Sequence, residues 1–309
     1  MSAGVDFGIF TPLAGMDFPS LRERARLAEE LGYHSLWVTD HMWNRVRPEL
    51  DCYEALAALA ALAPLTSRLR LGALVICNNF RNPALLAKSL SAIDHISGGR
   101  LEVGMGAGWM EEEHRAYGFD FPPIAERLAR LEESILILKA MFTQDRATFR
   151  GRYYTVDEAR NNPKPIQRPH PPLTIGGGGE KRMLRLVAKH ADRWNCPAGY
   201  RSLAQKIEVL KNHCRAVGRD FASLRLSEQL LVCIGRDAGE VAAKWKFAQR
   251  LTPFSRTGIK GTPDEVIAQL KTRVAQGMTL FTVLFGDYGP PDTLELFARK
   301  VMPAFNQAG

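Results

Sequence analysis

Apolar residues in this 309-residue chain fall into short continuous runs that alternate with longer stretches of helical period. VDFGIF, from Val5, predicts a first strand. A helix follows over about Leu21–Leu31, where Leu21, Ala25, Ala28 and Leu31 share a face and Gly32 ends it. SLWVTD, from Ser35, predicts a second strand, and an alanine- and leucine-rich helix runs from about Tyr53 to Leu62. LRLGALVIC, from Leu69, is apolar almost throughout, as expected of a strand buried on both faces. Asn82 then caps a helix with Pro83 in its first turn and Gly98 beyond its end. RLEVGMG, from Arg100, predicts a fourth strand, and Leu128, Leu131, Ile135 and Leu138 mark a long helix after it. LTIG from Leu173, DRWNC from Asp192, RLSEQLLVCI from Arg225 and TLFTVLF from Thr279 bring the strands to eight. Thr262-Pro263-Asp264-Glu265 opens one of the last helices, and Gly277 stops it.

Eight strands, most followed by a helix, predict an α/β fold: a closed (β/α)8 TIM barrel forming one domain over residues 1–309. An open doubly wound sheet is the rival. It usually carries a nucleotide fingerprint in its first βα turn, and TPLAGMDFP carries none. Two stretches read as insertions. Gly108–Pro123, aromatic and acidic, follows strand four; Arg146–Asn162, containing TFRGRYYTV, precedes strand five as a small hairpin on the rim.

Composition adds exclusions. Hydrophobic residues make up 46% and charged residues 24%, an ordinary globular balance. No apolar run reaches membrane-span length and the first ten residues show no leader pattern, so the expectation is a cytoplasmic chain. Cys52, Cys77, Cys196, Cys214 and Cys233 are scattered, odd in number and never spaced C-x-x-C; they read as small buried hydrophobes, not disulfides or a zinc site. No histidine spacing suits a metal. The net charge of +8 raises nucleic acid as a partner, but the basic residues are interleaved with acids and lack stacking aromatics. A solvated surface that attracts anionic small molecules fits better.

In a barrel, loops after the strand C-termini build the site. After strand two, Asp40 and His41 precede Trp43; the histidine can serve as acid or base, and the adjacent aspartate can fix its tautomer. After strand three, Asn82 and Pro83 belong to the helix start, leaving Asn78 and Asn79 as candidate ligand contacts. Gly104-Met105-Gly106-Ala107-Gly108-Trp109 misses the dinucleotide fingerprint at its sixth position, and reads instead as a bare floor with an aromatic lip suited to a planar ring. His114 in EEEHRAYG reads as part of a solvated rim. After strand five, Gly176, Gly177, Gly178 and Gly179 lead into a helix along a proline-stiffened approach, NPKPIQRPHPP. GGGGEKRM is no Walker motif, yet exposed amides at a helix start make a phosphate seat.

Taken in order, VTDH (from Val38), RNPALLAK (from Arg81), ISGGRLEVGMGAGW (from Ile96), EEEHRAYGFDFPP (from Glu111), NPKPIQRPHPPLTIGGGGEKR (from Asn162) and HADRWN (from His190) resemble the bacterial luciferase-like family of flavin and deazaflavin oxidoreductases. The resemblance spans nearly the whole chain and is strongest to the branch using the deazaflavin coenzyme F420. It implies hydride transfer between reduced F420 and a small organic substrate, and a non-prolyl cis peptide at Leu74-Val75 behind the ring. Asp40 and His41 would lie beside ring and substrate, His41 as the proton donor or acceptor. Cys77 stands where relatives often have a ring-bonding Thr or Ser. Asn78, Gly106, Ala107, Gly108 and Trp109 would line the ring, and Gly177–Glu180 would hold the phosphate. In sugar-phosphate dehydrogenase relatives a Glu just after the strand-four glycines is the general acid; Ala107 or Trp109 holds that place here, which argues against that substrate. Trp43, Trp109, Tyr117 and Phe121 themselves point to an apolar or ring-containing substrate, which would lie on the exposed ring face beneath a lid around Met110–Phe121. Relatives commonly form homodimers. The alternatives are an FMN-dependent monooxygenase fed by a separate reductase, and a barrel that binds flavin without catalysis. F420 has a longer tail than FMN, ending in glutamates, and Lys181, Arg182 and Arg185 stand beside the seat to meet it.

Overall fold

Twelve strands form in this computed structural model, which describes residues 4–45, 47–198, 202–251, 255 and 257–305. They are β1 (Asp6–Thr11), β2 (Ser35–Val38), β3 (Arg70–Ala73), β4 (Ile76–Cys77), β5 (Leu101–Gly106), β6 (Ala147–Arg150), β7 (Thr155–Ala159), β8 (Leu173–Gly176), β9 (Arg193–Cys196), β10 (Arg225–Ile234), β11 (Ile259–Gly261) and β12 (Leu280–Phe285). Ten of them make one sheet in the order β11-β10-β12-β1-β2-β3-β5-β8-β9, with β4 on β5 and β9 returning to β10. That return closes eight parallel staves into the expected TIM barrel. Every strand read from the sequence is present. β11 is an addition: three residues parallel to Val232–Ile234, too short to give a period.

Packing divides the chain into two compact units, one of residues 1–11, 21–37 and 177–309, the other of residues 12–20 and 38–176. In the first, Phe7 stacks on Phe281 at 5.7 Å and meets Phe297 edge-on at 5.3 Å. Thr262 and Glu265 form a reciprocal capping box at the start of the helix Pro263–Val274. In the second unit, the helix Ile124–Thr143 buries its predicted face of Leu128, Leu131, Ile135 and Leu138, each side chain contributing about 1.5–3 kcal/mol. Asn82 accepts the amides of Ala84 and Leu85 at 2.9 and 3.3 Å to start the helix Pro83–Ile96.

Both insertions lie in this second unit. The earlier one holds the short helix Glu111–Ala116; the later one is the β6–β7 hairpin. Glu133 fastens that hairpin by accepting the amides of Arg152, Tyr153 and Tyr154 at 2.8–3.0 Å. Strand three is not the single run its apolar sequence predicts. It divides into β3 and β4 around a cis peptide at Leu74-Val75. No helix among the described residues is long and apolar enough to cross a membrane.

Candidate active site

Strand β2 ends at Val38, and the turn after it presents Asp40 and His41. Asp40 is fully engaged. It receives both Arg81 terminal nitrogens, at 2.6 and 2.7 Å, and the Cys77 amide at 2.8 Å, with its side chain buried. Glu54 takes a further bond from Arg81. Burial alone would lower the Arg81 pKa, but the bonds to Asp40 and Glu54 outweigh it and hold the guanidinium above its ordinary value. Asp40 therefore does not fix the His41 tautomer, contrary to the expectation from their adjacency. It ties the turn after β2 to the turn after β4.

His41 draws its partner from elsewhere. Its Nδ1 lies 3.0 Å from Oε2 of Glu113, whose other oxygen accepts the Met42 amide. The Glu113 side chain is 1% exposed and that of His41 30%. Three glutamates open the helix Glu111–Ala116, where negative charge suits the helix dipole, and the third turns inward.

His114, expected on a solvated rim, is buried. Its ring lies 4.8 Å from both Phe80 and Phe121. Its Nδ1 donates to the Met110 carbonyl at 2.8 Å, which leaves Nε2 to accept from the Cys77 thiol at 3.6 Å. Burial pushes the Cys77 thiol up to about 12; the Asn79 amide opposes this, and the charge of Asp40 adds to it. Cys77 is thus a neutral thiol. Asn78 Oδ1 and both amide atoms of Asn79 are buried without a hydrogen bond, while Asn78 Nδ2 reaches the Tyr154 hydroxyl at 3.3 Å.

The glycines of β5 have a structural cause that the sequence reading did not include. A Cβ on Gly104 would strike the Ala73 carbonyl and one on Gly106 the Val75 side chain; on Gly176 it would lie 2.7 Å from Val75 Cγ1. Gly106 and Gly176 are bare because Val75 fills the space, and Gly104 because the Ala73 carbonyl does. Gly108 has φ +74°, and a Cβ there would come 2.8 Å from Cys77 Sγ. Ala107 beside it is buried. Trp109 then meets His41 edge-on at 5.5 Å, and Trp43 lies 5.9 Å from Tyr117.

The glycine loop after β8 belongs, from Gly177 onward, to the other unit. Three side chains hold its carbonyls: Trp194 Nε1 on Gly177 at 2.8 Å, Lys206 Nζ on Gly178 at 2.7 Å and His213 Nε2 on Glu180 at 2.8 Å. A trans peptide points its N–H opposite to its C=O, so the amides of Gly178, Gly179 and Lys181 are turned away from those anchors. The following helix, Met183–His190, has neither a side-chain cap nor an acid in its first turn. Gly177 must be glycine, with φ +150° and Met183 Cγ 2.7 Å from any added Cβ. Gly179 need not be on packing grounds, since its Cβ would make an ordinary 3.5 Å contact. The Glu180 carboxylate turns to Lys206 at 3.2 Å. Trp194, Lys206 and His213 went unread in the sequence; the seven-residue spacing of the last two along one helix was the available sign.

With these features in place, kinship can be read. Residues 5–277 match the luciferase-like monooxygenase family, and the chain belongs to that family. It is 36% identical to an F420-dependent glucose-6-phosphate dehydrogenase of Amycolatopsis mediterranei over 56% of this chain and 50% of that one. It is 37% identical to an FMNH2-dependent dimethylsulfone monooxygenase of Pseudomonas putida over 69% of this chain and 57% of that one. Among solved structures, an F420-dependent secondary alcohol dehydrogenase in complex with an F420–acetone adduct has a TM-score of 0.85, covering 98% of this chain and 100% of that one. At 20% identity that likeness is one of fold.

Proposed function

We propose that this chain is an oxidoreductase transferring a hydride between reduced coenzyme F420 and a small organic substrate, with His41 moving the accompanying proton. The buried Glu113 behind His41 carries the reading. A histidine whose Nδ1 proton is held by a buried carboxylate keeps Nε2 for giving or taking a proton. Arg81 and the Cys77 amide hold Asp40 on one side of it, Glu113 holds the Met42 amide on the other, and Cys77 stays neutral.

The glycine loop suits an anionic group. Gly178, Gly179 and Lys181 offer amides, and the uncapped helix start adds a positive end. Gly179 is bare with no packing cause, which supports an outside occupant. Lys181, Arg182 and Arg185 are all exposed around that turn, an arrangement better suited to a long acidic tail than to one phosphate. When bound, the deazaflavin supplies or accepts the hydride, chemistry that side chains lack.

The 37% identity to an FMNH2-dependent monooxygenase supports a second reading, oxygen-dependent turnover with reduced FMN. Titration with F420, FMN, FAD and NADPH, followed by turnover with and without oxygen, separates the two. Tightest binding of F420 and full activity without oxygen are expected; activity requiring reduced FMN and oxygen would replace the proposal.

A further inference from the structure

We infer that the surface beside His41 receives a planar, uncharged aromatic or conjugated ring as substrate, and that Trp109 and Tyr117 select it. The inference rests on the reading of His41 as the proton-handling group and adds the substrate class. Large rings at a protein surface are informative when they gather, because each leaves apolar area in water. Trp109 is 62% exposed and Tyr117 51% exposed. Trp109 stands edge-on to His41, while Tyr117 follows Glu113 by four residues and so shares its side of the helix Glu111–Ala116. Trp43 joins Tyr117 from the His41 turn.

Charge narrows the class. Arg81 is neutralised by Asp40 and Glu54, and Arg45 pairs with Glu112 at 3.1 Å. Arg127 donates to the Gly108 and Pro122 carbonyls and covers the Phe121 ring at 3.9 Å. Arg115, two residues from Glu113, falls on the opposite side of its helix. Of these four arginines, Arg81, Arg45 and Arg127 are therefore committed and Arg115 is turned away. A phosphate or carboxylate on the substrate would find no counter-charge among them, whereas a neutral ring would find aromatic edges and faces.

The test uses the full chain loaded with F420, with 2-naphthol as the neutral ring and glucose 6-phosphate as the charged, non-aromatic control. Binding is read from tryptophan fluorescence and calorimetry, and F420 uptake from its own absorbance. Saturable binding of 2-naphthol is expected, weakened about tenfold by Trp109→Leu or Tyr117→Leu and restored by Trp109→Phe, with no saturable binding of the sugar phosphate. Both leucine positions are exposed, and circular dichroism checks that the variants fold. Equal 2-naphthol affinity in the native chain and the leucine variants overturns the inference, as does tighter binding of glucose 6-phosphate. Failure of F420 uptake counts against the cofactor reading alone, because 2-naphthol binding is scored separately in the same samples.

Discussion

Glu113→Gln retains the shape of the buried side chain and inverts what His41 meets. In the native chain one carboxylate oxygen accepts at His41 Nδ1, 3.0 Å away, and the other accepts the Met42 amide. Glutamine has a single acceptor, and the fixed Met42 amide claims it. The glutamine NH2 then faces Nδ1, which must become an acceptor, and the ring proton moves to Nε2. Two charge-assisted bonds become neutral ones, a loss of about 1–2 kcal/mol. A fold worth roughly 5–15 kcal/mol survives that. The chemistry is hit harder, because a positioned acid or base contributes roughly 10²–10⁴-fold and the variant presents the wrong tautomer. Nitrogen–proton correlation spectra of labelled histidine, recorded where the ring is neutral, distinguish the two tautomers. The expected result is Nδ1–H in the native chain and Nε2–H in the variant, with single-turnover hydride transfer slowed by that factor and F420 affinity unchanged. A variant that keeps Nδ1–H, or keeps its rate, refutes the assignment.

Other positions give further tests. Gly179→Ala should leave the urea midpoint unchanged and weaken F420 binding roughly tenfold, about 1.4 kcal/mol, while Gly104→Ala, forced against the Ala73 carbonyl, should cost about 1–3 kcal/mol of stability; equal effects on stability would contradict the distinction between seat and packing. Arg81→Met strands the buried Asp40 carboxylate, so a loss of about 3–5 kcal/mol is expected in urea unfolding; a loss below about 1 kcal/mol, typical of a surface pair, would show the network to be ornamental. Burial raises Cys52 to about 11 and Cys77, Cys196 and Cys233 to about 12, so these thiols stay protonated and unreactive at neutral pH and gain reactivity only as pH climbs toward those values. Iodoacetamide labelling read by mass spectrometry at rising pH should modify half-buried Cys52 before Cys77, and the reverse order would deny the burial of Cys77.

The barrel was legible because its signal is local. RLSEQLLVCI coincides with β10, and both insertions, the hairpin being the later one, fall where composition changes. The site was legible only in part, because its partnerships join distant segments. Asp40 and His41 are neighbours in sequence, yet successive residues in extended chain point to opposite sides, and each found its partner elsewhere: Arg81 for one, Glu113 for the other. A six-residue helix with three glutamates in a row has no period to reveal which one turns inward. His114 looked solvated because its neighbours are charged, whereas of the rings that bury it Phe80 comes from another segment and Phe121 returns from beyond the end of its own helix. The glycines were visible at once, but their causes differ: Gly104, Gly106 and Gly176 yield room to strand three, while Gly179 yields room to nothing in the chain.

Four glycines in succession suggest the most pliable piece of a protein, but here Trp194, Lys206 and His213 clamp the segment from behind. The anion proposed to dock there would meet a cradle already set, with little ordering entropy to oppose it. Redesign toward a different coenzyme would accordingly do best to leave the glycines and their clamps untouched and to recast the exposed fringe at Lys181, Arg182 and Arg185.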